Sequence, residues 1–229
     1  MSIADNLLKY KQEIEVDSVK LVAVSKNQPK DAVLEAYNAG QRVFGENQVQ
    51  ELVEKQLELP KDIEWHLIGH LQTNKVKYIA PFVDLIESVD SLKLLTEINK
   101  QAEKNKRTID CLLQIYIADE ETKFGLGYDE TIELLRSDEF ASLKNVRIVG
   151  LMGIATNTKS EKQIADEFQE LKVLFDGIKL AYFRKEDYFR EISMGMSSDY
   201  KLAIQEGSTI VRIGSSIFGK RVIKHFNAQ

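Results

Sequence analysis

The sequence predicts a (β/α)8 TIM barrel with an extra N-terminal helix, and three observations carry that prediction. Short apolar, β-branched segments alternate with segments of helical spacing from Val19 to Ile213. Several short segments are continuous apolar runs, as expected of parallel strands buried on both faces. Eight such units fit into 229 residues, near the usual barrel size of about 250 residues. An open, doubly wound sheet is the alternative, because a strand count from one sequence can miss by one or two.

Each element has its own local signal. The eight predicted strands are Val19 to Val24, Arg42 to Phe44, Ile63 to Ile68, Phe82 to Val89, Ile109 to Ile117, Val146 to Met152, Tyr188 to Met194 and Ile210 to Ile213. Helical spacing fills the intervals and also predicts the extra helix, Ile3–Ile14. Pro29 and Gly40 mark the start and end of one helix. Ser91 is expected to begin another as its N-cap, and the longest helix is expected to begin near Ser160.

Composition narrows the class of protein. Hydrophobic residues make up 43% of the chain, enough for a sizeable core, and no linker divides it, so residues 1–229 are expected to form a single domain. The single cysteine, Cys111, is expected in the core and excludes a disulfide scaffold. No signal peptide and no apolar run of about 18 residues is present. With a net charge of −5, these features predict a cytoplasmic protein with no nucleic-acid or membrane partner.

The first strand leads directly into a lysine. In a barrel of this kind the active site lies at the carboxyl ends of the strands, and Lys26 follows the apolar run of strand one after Ser25 alone. Burial at the barrel mouth would make its amine nucleophilic, so that it could form a Schiff base with a carbonyl compound. The alternative is a solvated lysine that opens the first loop.

The exits of strands two and three are polar. Gly45 allows a ligand to come close, and Asn47 offers both a donor and an acceptor, although Asn47 could instead cap a helix that starts at Gln48. After strand three, His66 and His70 have a metal-like spacing, but that pairing requires a helix. We therefore predict no metal site, and we expect His66 to be a hydrogen-bonded residue that lines the barrel.

Strands seven and eight end in small residues. Ser197 follows strand seven in the segment SMGMSSD, and Gly214 and Ser215 follow strand eight. Backbone N–H groups of small residues at helix starts bind anions, and barrels often hold phosphate in the loops after strands seven and eight. The alternative is that Ser197 or Ser198 caps a helix and that Gly214 eases a turn.

Arg212 lies within the otherwise apolar eighth strand. A buried guanidinium is costly unless a carboxylate pairs with it or a ligand receives it. A nucleophilic lysine, an arginine and a phosphate cradle together suit a phosphorylated aldehyde. Pyridoxal 5′-phosphate is the common cofactor of that kind.

These stretches also resemble a known family. LVAVSK, FGENQVQE, WHLIGHLQTNK, LMGIA and SMGMSSDYKLAIQEGSTIVRIGSSIFG are similar to the pyridoxal phosphate homeostasis family, which is related in fold to the N-terminal domain of alanine racemase. The resemblance implies that Lys26 carries the cofactor, that Arg212 faces the pyridine nitrogen, and that the Ser197 loop, Gly214 and Ser215 contact the phosphate. It also places Asn47 in the pocket. Family members more often have threonine at position 215, a change that keeps the hydroxyl.

The resemblance implies a binding protein for pyridoxal phosphate, without enzymatic turnover. Its partners would be the cofactor and the apo-enzymes that receive it, and a monomer is expected. The chain ends at Gln229, which leaves no room for the second domain that supplies a catalytic tyrosine in alanine racemase. Two alternatives are a pyridoxal-phosphate-dependent amino-acid racemase and a cofactor-free Schiff-base aldolase.

Overall fold

Eight parallel strands close into a barrel. The computed structural model describes residues 2–14, 18–119 and 124–219. Each strand pairs in parallel with the next along the chain, and the last pairs with the first, so the barrel prediction is confirmed and the open sheet is excluded. The strands are β1 Lys20–Val24, β2 Val43–Glu46, β3 Glu64–Leu67, β4 Leu85–Val89, β5 Ile109–Ile115, β6 Val146–Gly153, β7 Glu191–Met196 and β8 Ile210–Ile213.

Helices surround the barrel and include the predicted N-terminal one. They are α1 Ile3–Ile14, α2 Lys30–Asn38, α3 Val49–Glu58, α4 Val76–Ile79, α5 Leu92–Lys104, α6 Tyr128–Arg136, α7 Asp138–Ser142, α8 Glu161–Tyr182, α9 Tyr200–Gln205 and α10 Ser215–Phe218. Ser91 caps α5, as predicted, and α8 begins directly after Ser160, near the predicted start. Each serine oxygen accepts a hydrogen bond from the backbone N–H three residues later. No helix within the described ranges is long and apolar enough to cross a membrane.

The strands separate two apolar layers. Alternate residues of a strand point to opposite faces, so Val22 of β1 and Ile210 of β8 belong to a small core inside the barrel. A larger core fills the space between the strands and the helices. Cys111 lies in that outer core and is 0% exposed, which confirms its predicted place.

The register of β8, β1 and β2 brings their carboxyl ends together. Val22 pairs with Arg212 across β1 and β8, and Val24 pairs with Gly45 across β1 and β2. On the other side of β8, Arg212 pairs with Met196 of β7. The four segments that leave β7, β8, β1 and β2 therefore lie side by side at one arc of the barrel mouth.

Candidate cofactor site

All of the predicted site residues lie on this arc. Five of them follow the ends of β1, β2, β7 and β8, and the sixth lies within β8. They are Lys26, Asn47, Ser197, Arg212, Gly214 and Ser215. Parallel strands adjacent in a barrel bring residues that are remote in sequence to the same rim, and the structure joins all six on this part of the mouth.

Lys26 lies in a tight turn directly after β1. The turn is closed by a hydrogen bond from Gln28 N to Ser25 O of 3.1 Å, and Ser25 N donates to Gly45 O of β2 at 3.0 Å. Lys26 is half-buried. Asn27 has a φ of 58°, a left-handed conformation that asparagine tolerates better than most residues.

A buried ion cluster lies between this turn and α3. It consists of Lys55, Glu46 and Glu51, which are 3%, 0% and 4% exposed. The ammonium Nζ lies 2.6 Å from Glu46 Oε1 and 2.7 Å from Glu51 Oε1. One cation thus faces two carboxylates, whose Oε2 atoms have no hydrogen-bond partner in the described part of the chain. Burial raises the pKa of Glu46 to about 7, although attraction to Lys55 opposes the rise.

Asn47 lies at the end of β2 beside the mouth. Helix α3 begins at Val49 with Gln48 at its N-cap, so the suggestion that Asn47 caps this helix is wrong. Its Oδ1 is buried and has no hydrogen-bond partner among residues 2–14, 18–119 and 124–219. Gly69 packs tightly against it, since an added Cβ would lie 2.4 Å from Asn47 O. The backbone of Asn47 is therefore closely packed, while its side chain retains a buried, unused acceptor.

Arg212 extends across the inside of the barrel and is 4% exposed. Its Nη1 donates to Ser193 Oγ at 2.5 Å, and its Nη2 donates to Gly153 O at 3.0 Å. The carboxylate of Glu87 lies 3.8 Å from Nη1. The guanidinium is thus paired with a buried carboxylate, one of the two kinds of partner expected from the sequence.

Glu87 also binds the predicted barrel histidine. Nδ1 of His66 lies 2.7 Å from Glu87 Oε1, and Ser193 Oγ donates to Glu87 Oε2 at 2.5 Å. Burial alone would raise the pKa of Glu87, but the hydrogen bond and charge of His66, with Arg212 and Ser193, lower it below its usual value. An ionised carboxylate only accepts hydrogen bonds, so Nδ1 of His66 is the donor, and the predicted role of His66 as a hydrogen-bonded lining residue is confirmed.

The segments after β7 and β8 are short turns that lead into short helices. Ser197 is half-buried, and Asp199, not a serine, occupies the N-cap of α9, so the alternative of a serine cap is wrong. Asp199 Oδ1 instead accepts a hydrogen bond of 2.5 Å from Met196 N. Gly214 is the N-cap of α10, which begins at Ser215. An added Cβ at Gly214 would lie 2.9 Å from Val24 O, so glycine allows the close approach of β8 to β1.

Sequence reasoning missed the acidic residues of the site. Glu46 and Glu87 lie within short strands and are fully buried. The sequence offered a sign of both residues, since FGEN and LIESV each place a glutamate in or beside an apolar segment. A carboxylate in an apolar strand requires a partner, just as Arg212 does. The partners themselves, Lys55 and His66, were visible only as residue types.

Comparisons with known proteins agree with this geometry. The family model described as alanine racemase, N-terminal domain, matches residues 1–222. The pyridoxal phosphate homeostasis protein of Aquifex aeolicus is 41% identical over 203 residues, covering 88% of this chain and 87% of that protein. The protein of the same name from Escherichia coli K12 is 36% identical over 232 residues, covering 96% and 97%.

A solved structure shows the same likeness. PipY of Synechococcus elongatus, with PLP bound, matches with a TM-score of 0.86 and 36% identity, covering 95% of this chain and 100% of that one. The resemblance inferred from the motifs is thereby confirmed. The chain belongs to the family of alanine racemase N-terminal domains, within its group of pyridoxal phosphate homeostasis proteins.

Proposed function

We propose that this chain binds pyridoxal 5′-phosphate at the barrel mouth and serves the intracellular homeostasis of that cofactor. The observation that carries the proposal is the convergence of Lys26, Arg212 and two small-residue turns on four neighbouring strand ends. The bound PLP in PipY, a relative with 36% identity, supports the same assignment.

The residues at the mouth fit this cofactor. They offer one primary amine, one guanidinium and the hydroxyls of Ser197 and Ser215, which match an aldehyde, a ring nitrogen and a phosphate. The unpartnered Oδ1 of Asn47 can accept a hydrogen bond from a ligand.

Each residue would have a separate task. Pyridoxal phosphate supplies an aldehyde that condenses with primary amines and a pyridine ring that withdraws electrons. Lys26 would hold the aldehyde end, and the backbone N–H groups at Gly214 and Ser215, with Ser197, would hold the phosphate. Arg212 would face the ring nitrogen, where a permanent positive charge disfavours protonation. This arrangement would weaken electron withdrawal by the ring, which is consistent with a carrier.

The visible spectrum of the purified chain tests the proposal. We expect a visible absorption band with pyridoxal phosphate, lost in Lys26→Ala and retained in Lys30→Ala, whose ammonium pairs with Glu58. Borohydride reduction followed by peptide mass spectrometry should place the added mass on Lys26. A wild-type chain that stays colourless after addition of the cofactor would reject the proposal.

Absence of turnover is a separate part of the proposal. Deuterium exchange at the α-carbon, followed over a panel of amino acids, should not exceed the exchange with free pyridoxal phosphate. Faster exchange would favour the racemase alternative. A sugar phosphate trapped on Lys26 by borohydride, with no pyridoxal released on denaturation, would instead indicate an aldolase.

We further propose that residues 1–229 act as one cytoplasmic, monomeric domain that hands the cofactor to apo-enzymes. The small core inside the barrel and the larger one around it form a single layered unit over the described ranges, which supports one domain. Light scattering at increasing protein concentration tests the monomer. Transfer to an apo-enzyme, measured by recovery of that enzyme's activity against free cofactor at equal concentration, tests delivery.

A further inference from the structure

The turn that carries Lys26 is held by side chains from other elements. Ser25 Oγ donates to Glu46 Oε1 at 2.6 Å, and Lys55 Nζ donates to Ser25 O at 2.7 Å. On the other side of Lys26, the backbone N–H of Asn27 donates to Glu51 Oε1 at 2.8 Å. The residues before and after Lys26 are therefore each fixed to the buried cluster.

The cluster is closed around this turn. Lys55 has three N–H donors, and all three are used, by Ser25 O, Glu46 Oε1 and Glu51 Oε1. Charge-assisted hydrogen bonds in a buried setting are short and strongly directional. Lys55 therefore links α3 to the turn, because it bonds both to the carbonyl of Ser25 and to two carboxylates.

The conformation of the turn gains from such support. Asn27 holds a left-handed φ of 58°, which asparagine tolerates better than most residues but which still costs free energy that contacts from the surroundings offset. Glu51 Oε1 receives the N–H of this residue. Without that acceptor the N–H would be left without its partner, and the turn could relax and rotate Lys26 away from the mouth.

We propose that Glu51 is a positioning residue for cofactor binding, which acts through the backbone of Asn27 and together with Lys55 holds the Lys26 turn in its binding geometry. This inference rests on the proposed function, in which Lys26 holds the cofactor. The contact that carries this role is the hydrogen bond from the Asn27 N–H to Glu51 Oε1 at 2.8 Å.

Three variants of the full chain separate positioning from stability. Glu51→Leu removes both the charge and the acceptor, whereas Glu51→Gln keeps an acceptor oxygen for the Asn27 N–H. Leu52→Ala truncates the neighbouring, fully buried residue of the same helix and removes no polar group. The measurements are amide hydrogen exchange at Asn27, the Kd for pyridoxal phosphate and the melting temperature.

We expect Glu51→Leu to raise exchange at Asn27 and the Kd at least tenfold, at a temperature where the variant is folded. Glu51→Gln should recover most of both losses. Leu52→Ala should lower the melting temperature while its Kd stays within threefold of the wild type. Faster exchange in Glu51→Leu with an unchanged Kd would overturn the inference, and so would equal Kd losses in Glu51→Leu and Leu52→Ala.

Failure of the proposed function would look different. In that case the wild-type chain itself would take up no pyridoxal phosphate, or Lys26→Ala would bind as tightly as the wild type. The proposed role of Glu51 in cofactor binding would then be refuted together with the proposed function. If wild type and Lys26→Ala behave as proposed but Glu51→Leu loads normally, only the role of Glu51 is refuted.

Discussion

Replacing Glu87 with glutamine tests how much the buried pair of Glu87 and Arg212 inside the barrel contributes to stability. Glu87 is 0% exposed and accepts hydrogen bonds from His66 Nδ1 at 2.7 Å and Ser193 Oγ at 2.5 Å. Glutamine keeps the volume of the side chain but removes its charge. The guanidinium of Arg212, 3.8 Å away, would then lose this counter-ion while it stays buried, and only the weaker attraction of Asp199 would remain.

The expected loss of stability is large. Removing one partner of a buried ion pair costs about 3–5 kcal/mol, and each kcal/mol lowers the melting temperature by roughly 2–4 °C in a chain of this size. We therefore expect a decrease of about 10 °C. The matched control is Asp110→Asn, which breaks the partly exposed pair with Arg147. Exposed pairs contribute only about 0–1 kcal/mol.

The assay is urea unfolding of Glu87→Gln, Arg212→Met and the double variant. The double variant should be less destabilised than the sum of the single variants, because no uncompensated charge remains. Its affinity for pyridoxal phosphate should nevertheless stay low, because the proposed contact from Arg212 is lost. A cost for Glu87→Gln no greater than that for Asp110→Asn would refute the reasoning.

Three further predictions follow from single residues. Burial raises the pKa of Glu46 to about 7, against 4.5 in an unfolded chain, so the native state binds the additional proton. Its free energy of unfolding should fall by roughly 3 kcal/mol as the pH rises from 5 to 8, and urea titrations of Glu46→Gln should lack this slope. Gly69→Ala would place a Cβ 2.4 Å from Asn47 O, so the affinity for the cofactor should fall at least tenfold. The control is Gly177→Ala, which has open space around the added Cβ and should bind the cofactor like wild type. Equal affinities of the two variants would contradict the argument. Burial raises the pKa of Cys111 far above its usual value, so a thiol reagent should label this cysteine only at the rate of unfolding. Rapid labelling in native buffer would count against its position in the core.

Local patterns made most of the fold predictable. Apolar runs and helical spacing are properties of neighbouring residues, so the eight strands and the N-terminal helix could be predicted from them alone. Caps such as Ser91 act within three residues, and they were predicted for the same reason. Asn47 shows the limit of local patterns. The sequence allowed it to be a helix cap, but the N-cap of α3 is Gln48, and which of the two residues takes this position depends on where β2 ends.

Part of the site was also predictable. Lys26 and Gly214 follow apolar strands, and the carboxyl ends of barrel strands meet at one rim whatever their separation in sequence. The sequence by itself therefore determined the barrel, the rim and the types of group available for a cofactor.

Only the tertiary structure decided which buried charges pair. Ser193 and Glu87 are 106 residues apart in the chain, yet they share a hydrogen bond across the barrel interior. Glu51 reaches the Asn27 N–H from a helix that no spacing rule connects to this turn. Such contacts exist only after the barrel has closed and excluded water, because burial is what makes an unpaired charge costly and forces each one to find a partner.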